Sequence, residues 1–175
     1  MDRILVVCYS YTGTSRQLAQ LLCAQLGWPM GEIVEARQRA GPTGTLRCVA
    51  DSLLRRRPLI RYDGPDPGEF ETVVLVSPIW IYRLAGPMRS FVADRVADLR
   101  RVAVVSVMGA QGASNAVAEI GRLLGHAPMA ATSFTSREVD DGSCADRLQG
   151  FGRALQAIRP DVAQVSADSG SPRAA

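Results

Sequence analysis

Apolar positions along the chain follow two distinct spacings. Short unbroken apolar runs, rich in β-branched residues, are typical of strands that are covered on both faces. Other stretches place apolar residues three or four positions apart, as one face of an amphipathic helix does. The unbroken runs predict strands over residues 4–9, 32–36, 72–77, 102–107 and 128–134. The helical spacing predicts helices over residues 16–26, 45–56, 87–98, 114–124 and 143–158.

These elements alternate strictly, strand then helix, along the chain. The alternation predicts an α/β fold: a single doubly wound five-stranded parallel sheet with helices on both faces. We expect this domain to span residues 1–159. Residues 160–175 are rich in Ala, Ser, Asp and Gly, and we expect them to form a disordered C-terminal tail. Residues 57–70 and 135–142, which are polar or rich in Pro and Gly, are expected to be surface loops.

The most distinctive stretch joins the first strand to the first helix. Five of its six residues carry a hydroxyl group, and the sixth is glycine: Ser10, Tyr11, Thr12, Gly13, Thr14 and Ser15. A strand that turns into a helix over such a loop presents free backbone N–H groups and the positive end of a helix dipole. Together with the hydroxyls, these groups predict a site for a doubly charged phosphate monoester.

An alternative is that these hydroxyls merely cap the helix, but a cap needs one side-chain oxygen and the loop offers five. Two familiar phosphate loops are excluded. The chain contains no lysine, so the P-loop lysine is missing, and no Gly-x-Gly-x-x-Gly motif follows the strand.

Two further loops follow predicted strands at the same edge of the sheet, where open α/β sheets bind ligands. One carries Trp80 and Tyr82 after the third strand, and the other is rich in glycine and small residues after the fourth. A phosphate cradle, an aromatic wall and a glycine loop together predict a site for a flat, phosphorylated cofactor. The alternative for Trp80 and Tyr82 is ordinary packing on the following helix.

The residues of these loops resemble the flavodoxin-like superfamily. The resemblance rests on residues 9–15 with Leu18 and Ala19, and on residues 77–80 and 86–91, and it covers residues 1 to about 159. It implies the strand order 2-1-3-4-5, with FMN bound beside the first and third strands. The cofactor-binding residues that it implies are Ser10, Tyr11, Thr12, Gly13, Thr14, Ser15, Pro78, Ile79, Trp80, Ile81, Tyr82, Arg83, Met108, Gly109, Ala110, Gln111 and Gly112.

The sequence also departs from the family pattern. Thr14 and Ser15 stand where the family often has Asn and Thr, but both keep a hydroxyl donor. Residues 108–113 contain no aromatic residue, which suggests that one flavin face is open. These features favour an FMN-dependent oxidoreductase that transfers two electrons from NAD(P)H to a quinone or other small acceptor. A one-electron carrier that docks on a redox partner protein, or a flavin-free interaction module, are the alternatives.

Charge bears on the number of electrons transferred. None of the three loops contains Asp or Glu, while Arg83 lies on the second loop and Arg89 on the helix that follows. Positive charge beside a flavin favours the fully reduced anion, so these arginines predict two-electron behaviour. The alternative for Arg83 is a side chain that simply points to solvent. No catalytic acid or base is assigned, since the only histidine, His126, is expected at a helix C-terminus.

Composition excludes several other classes of function. The net charge is +3, and the one dense basic cluster, residues 55–57 with Arg61, lacks interleaved aromatic residues, so a solvated helix end is favoured over nucleic-acid binding. The four cysteines form no Cys-x-x-Cys pair, which argues against a metal site. We expect reduced thiols, with Cys8 filling the core, no membrane span and a cytoplasmic protein. The sequence is compatible with a homo-oligomer and does not determine the oligomeric state.

Overall fold

The computed structural model describes residues 4–36, 54, 56–109 and 112–158. The strands are β1 (Ile4–Tyr9), β2 (Met30–Glu35), β3 (Ile60–Asp63), β4 (Thr72–Trp80), β5 (Arg83–Leu84), β6 (Val102–Met108) and β7 (Ala130–Thr135). The helices are α1 (Thr14–Leu26), α2 (Gly86–Asp94), α3 (Ala113–Leu124), α4 (Ser136–Asp140) and α5 (Ala145–Ala157), with a short 3₁₀ turn over Pro67–Glu69.

The strands form one mixed sheet in the order β3-β2-β1-β4-β6-β7, with β5 paired to β4. The five strands that were predicted lie side by side and parallel in the order β2-β1-β4-β6-β7. The predicted number of five strands was wrong, because the sheet has seven strands within the described part of the chain. The two additional strands, β3 and β5, pair antiparallel with β2 and β4.

The strand β3 lies in a stretch that was expected to be loop. Its residues alternate between half-buried and exposed, and Tyr62 is directly opposite Ile33 of β2. Ile-Arg-Tyr-Asp is an apolar–polar alternation, which is typical of a strand with one solvated face. The alternation covers only four residues, and prolines and glycines lie on both sides of the surrounding stretch. The sequence therefore favoured a loop there.

Helices cover both faces of the sheet, as predicted. All six residues of β1 are buried, with Ile4, Val6 and Cys8 in the apolar cluster that α1 and α5 cover. The alternate residues of β1 lie in the opposite cluster, which α2 and α3 cover. Because each face of the central strands is packed, these strands carry apolar residues on both faces rather than at every second position only.

Several predicted boundaries changed. The helix α2 ends at Asp94 rather than near residue 98, and Val96, which follows its end, is 43% exposed. Residues 135–142 are not all loop, because Thr135 and Glu138 form a capping box that starts α4. The helix α3 begins at Ala113, one residue before its predicted start, and its N-cap is Gly112.

Some predictions lie outside the described residues. They are the helix over residues 45–56 apart from residues 54 and 56, the C-terminal tail over residues 160–175, and Ala110 and Gln111 of the third loop. Among the described helices, none combines the length and apolar character that a membrane crossing requires.

Candidate functional site

The three predicted loops lie next to one another. They follow β1, β4 and β6, which are adjacent parallel strands, so their carboxyl ends meet at one edge of the sheet. The chain leaves β1 toward β2 on one side and later returns to β4 on the other. This reversal is the place where open α/β sheets form a ligand crevice.

The first loop leaves the N-terminus of α1 uncapped by side chains. Gly13 is the N-cap residue, with a φ of 100° that only glycine adopts readily, and among the described residues no side chain caps the first turn of the helix. The Ser10 Oγ accepts a hydrogen bond of 3.1 Å from the Gly13 N–H, which closes the loop on itself. The Thr12 and Thr14 hydroxyl oxygens are 3.4 Å apart.

This geometry does not support the alternative that the hydroxyls cap α1. The first N–H groups of the helix keep their bonding capacity, and the positive end of the helix dipole adjoins two neighbouring hydroxyls. Arg16 of the first turn donates to Glu32 Oε1 from its Nε at 2.6 Å, so its charge is balanced beside the loop. The arrangement can bind an anion through N–H and O–H donors.

The second predicted loop, between the strand predicted over residues 72–77 and the helix predicted from residue 87, contains a tight hairpin instead. The strand β4 continues through Pro78 and Ile79 to Trp80, and Arg83 already belongs to β5. Trp80 is paired with Arg83, so only Ile81 and Tyr82 form the turn. Both turn residues have positive φ, 46° and 62°.

Positive φ at both central residues is the geometry of a type I′ turn, which normally uses Asn-Gly. A β-branched residue such as Ile81 is an outlier there, and each such residue costs about 1–3 kcal/mol. Tertiary contact supports the strained turn: a Cβ on Gly112 would lie 2.6 Å from the Tyr82 Cα. Gly112 of the third loop therefore packs directly against the tip of the hairpin and, at φ 113°, has no room for a side chain.

Trp80 and Tyr11 bring the first two loops together. Their rings meet edge to face, with centroids 5.7 Å apart and an interplanar angle of 77°. The Trp80 Nε1 is buried and has no hydrogen-bond partner in the described structure. A buried donor without a partner costs about 1–3 kcal/mol, so it offers a bond to an acceptor atom of a ligand. Tyr82 is 55% exposed, so its ring is not packed as core.

Arg89 does not supply a free positive charge to this region, and that expectation was wrong. Its side chain is buried and donates from Nε to Glu119 Oε1 at 2.5 Å. A second nitrogen donates to the carbonyl of Leu84 at 2.9 Å. Arg89 therefore joins α2, α3 and the hairpin, and its charge is neutralised by a buried carboxylate.

A cavity of about 440 Å³ lies between the hairpin and α3. Its lining residues are Ile81, Tyr82, Arg83, Asn115, Ala118, Glu119 and Arg122. The sequence analysis predicted the first three but none of the four from α3. Their spacing of three and four residues, which places them on one helix face, was the available signal.

The remaining predicted residues are placed as follows. Met108 ends β6 and is half-buried, and Gly109 is exposed. Cys8 is buried in the core as expected, and burial raises the pKa of its thiol to about 12, so it is no nucleophile at neutral pH. His126 follows the C-cap of α3. The described residues include no cluster of His, Cys, Asp and Glu suited to a metal ion.

No protein-family model matches the chain, and no curated protein sequence matches it. Several solved structures, in contrast, are similar to the chain over most of its length. A flavoprotein of Lactobacillus acidophilus, solved in complex with FMN, has a TM-score of 0.67 and 17% identity, over 82% of this chain and 99% of that one.

Two flavodoxins are similar over a comparable length. The flavodoxin of Streptococcus pneumoniae has a TM-score of 0.54 and 18% identity, over 88% of this chain and 97% of that one. Oxidised flavodoxin 2 of Bacillus cereus has a TM-score of 0.57 and 15% identity, over 89% and 98% of the two chains. The chain therefore has the flavodoxin-like fold that its sequence predicted.

Proposed function

We propose that this protein binds FMN and uses it to transfer two electrons from NAD(P)H to a quinone or another small acceptor. The observation that carries the proposal is the N-terminus of α1, which no side chain of the described residues caps. It follows a hydroxyl-rich loop at the point where the strand order of the sheet reverses. The FMN complex of the similar Lactobacillus acidophilus flavoprotein agrees with it.

The residues of the three loops fit such a cofactor. The phosphate group would bond to Ser10 and to residues 12–15, whose N–H groups and hydroxyls favour a doubly charged anion. The unpartnered Trp80 Nε1 would donate to an acceptor atom of the flavin ring. Residues 108–112 would border the pyrimidine side. The flavin supplies the redox chemistry, and the protein supplies binding, orientation and electrostatics.

The preference for two electrons rests on the charge near the ring. The described parts of the three loops carry Arg83 but no acidic residue, whereas Arg89 no longer contributes because Glu119 neutralises it. The second candidate is a one-electron carrier, which the two similar flavodoxins favour. Such a carrier would use the same cofactor site and a redox partner protein in place of NAD(P)H. We also propose a cytoplasmic location, since the three described cysteines are free thiols.

The phosphate site is tested by comparing FMN with riboflavin, which lacks the phosphate. We expect the flavin-free protein to bind FMN at least 100-fold more tightly, because each hydrogen bond to a charged group contributes about 1.5–3 kcal/mol. Replacing Thr12 and Thr14 together with alanine should remove most of this difference. Ser114→Ala, which removes an exposed hydroxyl from the first turn of α3, is the matched control. Equal affinity of the wild type for both flavins would overturn the site.

The electron donor is tested by stopped-flow mixing of the FMN-loaded protein with NADPH and NADH. Bleaching of the flavin absorbance within seconds supports the two-electron reductase. Flavin that stays oxidised with both nucleotides, yet is reduced by dithionite, would support the electron-carrier candidate instead.

A further inference from the structure

The cavity between the hairpin and α3 shares Ile81, Tyr82 and Arg83 with the proposed flavin site, but its other lining residues belong to α3, which the three loops do not include. Half of its wall is the turn with Arg83, and the other half is the face of α3 that carries Asn115, Glu119 and Arg122. Its volume of about 440 Å³ is in the range of small-molecule sites.

The charges that line this cavity are predominantly positive. In the described part of the chain, no carboxylate forms an ion pair with Arg83 or Arg122. The Arg122 Nε donates only to the Ala118 carbonyl of its own helix, at a long 3.4 Å. The one acidic residue of the wall, Glu119, is neutralised by the buried Arg89 behind it. Two arginine side chains thus remain available to an anion.

We propose that this cavity binds the diphosphate of a nucleotide. The planar guanidinium fork matches the oxygens of a phosphate group, and two such forks match a diphosphate. The Asn115 amide adds both donor and acceptor groups, and the exposed ring of Tyr82 offers a surface on which a base can stack.

The position of Arg83 relates this cavity to the flavin site. Trp80 and Arg83 are paired across the hairpin, and paired residues of an antiparallel ladder have side chains on the same face. Trp80 in turn contacts Tyr11 of the first loop. A nucleotide held at the cavity would therefore lie beside the proposed flavin, as the hydride donor must. Identifying this nucleotide as the electron donor rests on the proposed function.

ADP-ribose is the probe, because it carries the diphosphate and the adenine but no redox group. Isothermal titration calorimetry with the full-length protein should show binding to the wild type. In Arg122→Gln the dissociation constant should rise about tenfold, the loss expected for one charged hydrogen-bonding partner. Arg153→Gln, an exposed arginine on α5, removes the same charge elsewhere and should bind like the wild type.

Three outcomes would overturn the nucleotide cavity: no ADP-ribose binding at millimolar concentration, equal binding by Arg122→Gln and the wild type, or release of bound flavin by ADP-ribose. Binding of benzoate in place of ADP-ribose, again sensitive to Arg122→Gln, would also overturn it in favour of a carboxylate ligand. If ADP-ribose binds as expected but NADPH and NADH fail to reduce the flavin, the cavity stands and the two-electron function is the part that fails.

Discussion

At the scale of single residues, a substitution of Trp80 tests whether its side chain serves ligand binding or the stability of the fold. The Trp80 Nε1 is a buried donor with no partner among the described residues, so removing it should not weaken the protein that lacks flavin. We expect Trp80→Phe, which keeps an aromatic ring, to leave the melting temperature of the flavin-free protein unchanged or slightly raised. Its affinity for FMN should fall by about 1 kcal/mol or more, roughly fivefold or greater.

Thermal unfolding of the flavin-free protein and FMN titration measure the two effects separately. Trp28→Phe is the control, because Trp28 is a core residue of the opposite face and should lose stability with no specific effect on FMN. A Trp80→Phe variant that melts lower and binds FMN normally would make Trp80 an ordinary packing residue.

The ion pair between Arg89 and Glu119 could not be predicted from the sequence. Both are buried and paired, 30 positions apart in the chain. Nothing in the local pattern around either residue indicates a partner at that separation. Breaking a buried ion pair leaves an uncompensated charge at a cost of about 3–5 kcal/mol, so this pair matters for the placement of the hairpin and α3.

At the scale of elements, the hairpin turn is strained by its sequence. Ile81 has a φ of 46°, which a β-branched residue tolerates poorly and glycine adopts freely. We therefore expect Ile81→Gly to stabilise the protein, or at least to cost nothing, with relief of about 1–3 kcal/mol of strain offset by the added flexibility of the unfolded chain.

Chemical denaturation of the wild type and Ile81→Gly measures this difference. Val96→Gly is the matched control, since Val96 is similarly exposed but has no positive φ, and it should lose stability. Equal destabilisation by the two glycine substitutions would show that the turn is unstrained.

The capping box of α4 gives the protein a pH-dependent contribution to stability. The backbone N–H of Thr135 and its hydroxyl donate to Glu138, and Arg147 lies 3.0 Å from it, which together hold the pKa of Glu138 below its ordinary value of 4.5. A depressed carboxyl pKa stabilises the folded state fully above the unfolded pKa. The contribution is lost as the pH falls through the folded pKa.

Glu138→Gln should therefore be less stable than the wild type at pH 7, and the gap should close as the pH falls below 4.5. Urea denaturation across this pH range measures both curves. Asp146→Asn, an exposed carboxylate near the start of α5, is the control. A gap that stays constant down to pH 3 would contradict the role of the charge.

At the scale of the whole molecule, Arg83 should set the number of electrons that the cofactor takes. A positive charge about 4 Å from a partly exposed ring contributes up to about 4 kcal/mol before solvent screening, and solvent reduces this considerably. We expect dithionite titration of the FMN-loaded wild type to pass directly from the oxidised to the fully reduced spectrum. Arg83→Glu should instead show a distinct intermediate spectrum.

Arg153→Glu reverses the same charge on the far helix α5 and should titrate like the wild type. A wild type that already accumulates the intermediate spectrum would favour the electron-carrier candidate. The melting temperatures of both variants serve to check that each is folded.

Much of the fold could be predicted because its cause is local. A strand covered on both faces is apolar on both of them, and β1, β4 and β6 are apolar on both faces, with Thr72, Ser77 and Ser106 as polar exceptions. The hydroxyl loop was equally visible, since its residues are contiguous. The strand β3 and the helix α4 were missed, although an apolar–polar alternation and a Thr-x-x-Glu capping box mark them.

Local composition was therefore enough to establish the alternating elements, the buried sheet and the candidate phosphate loop. It was not enough for features that form between distant segments. The hairpin at Trp80–Arg83 depends on support from Gly112, the charge of Arg89 depends on Glu119, and the cavity needs both the hairpin and α3. Each of these depends on contacts between residues far apart in the chain, and such contacts exist only once the chain has folded.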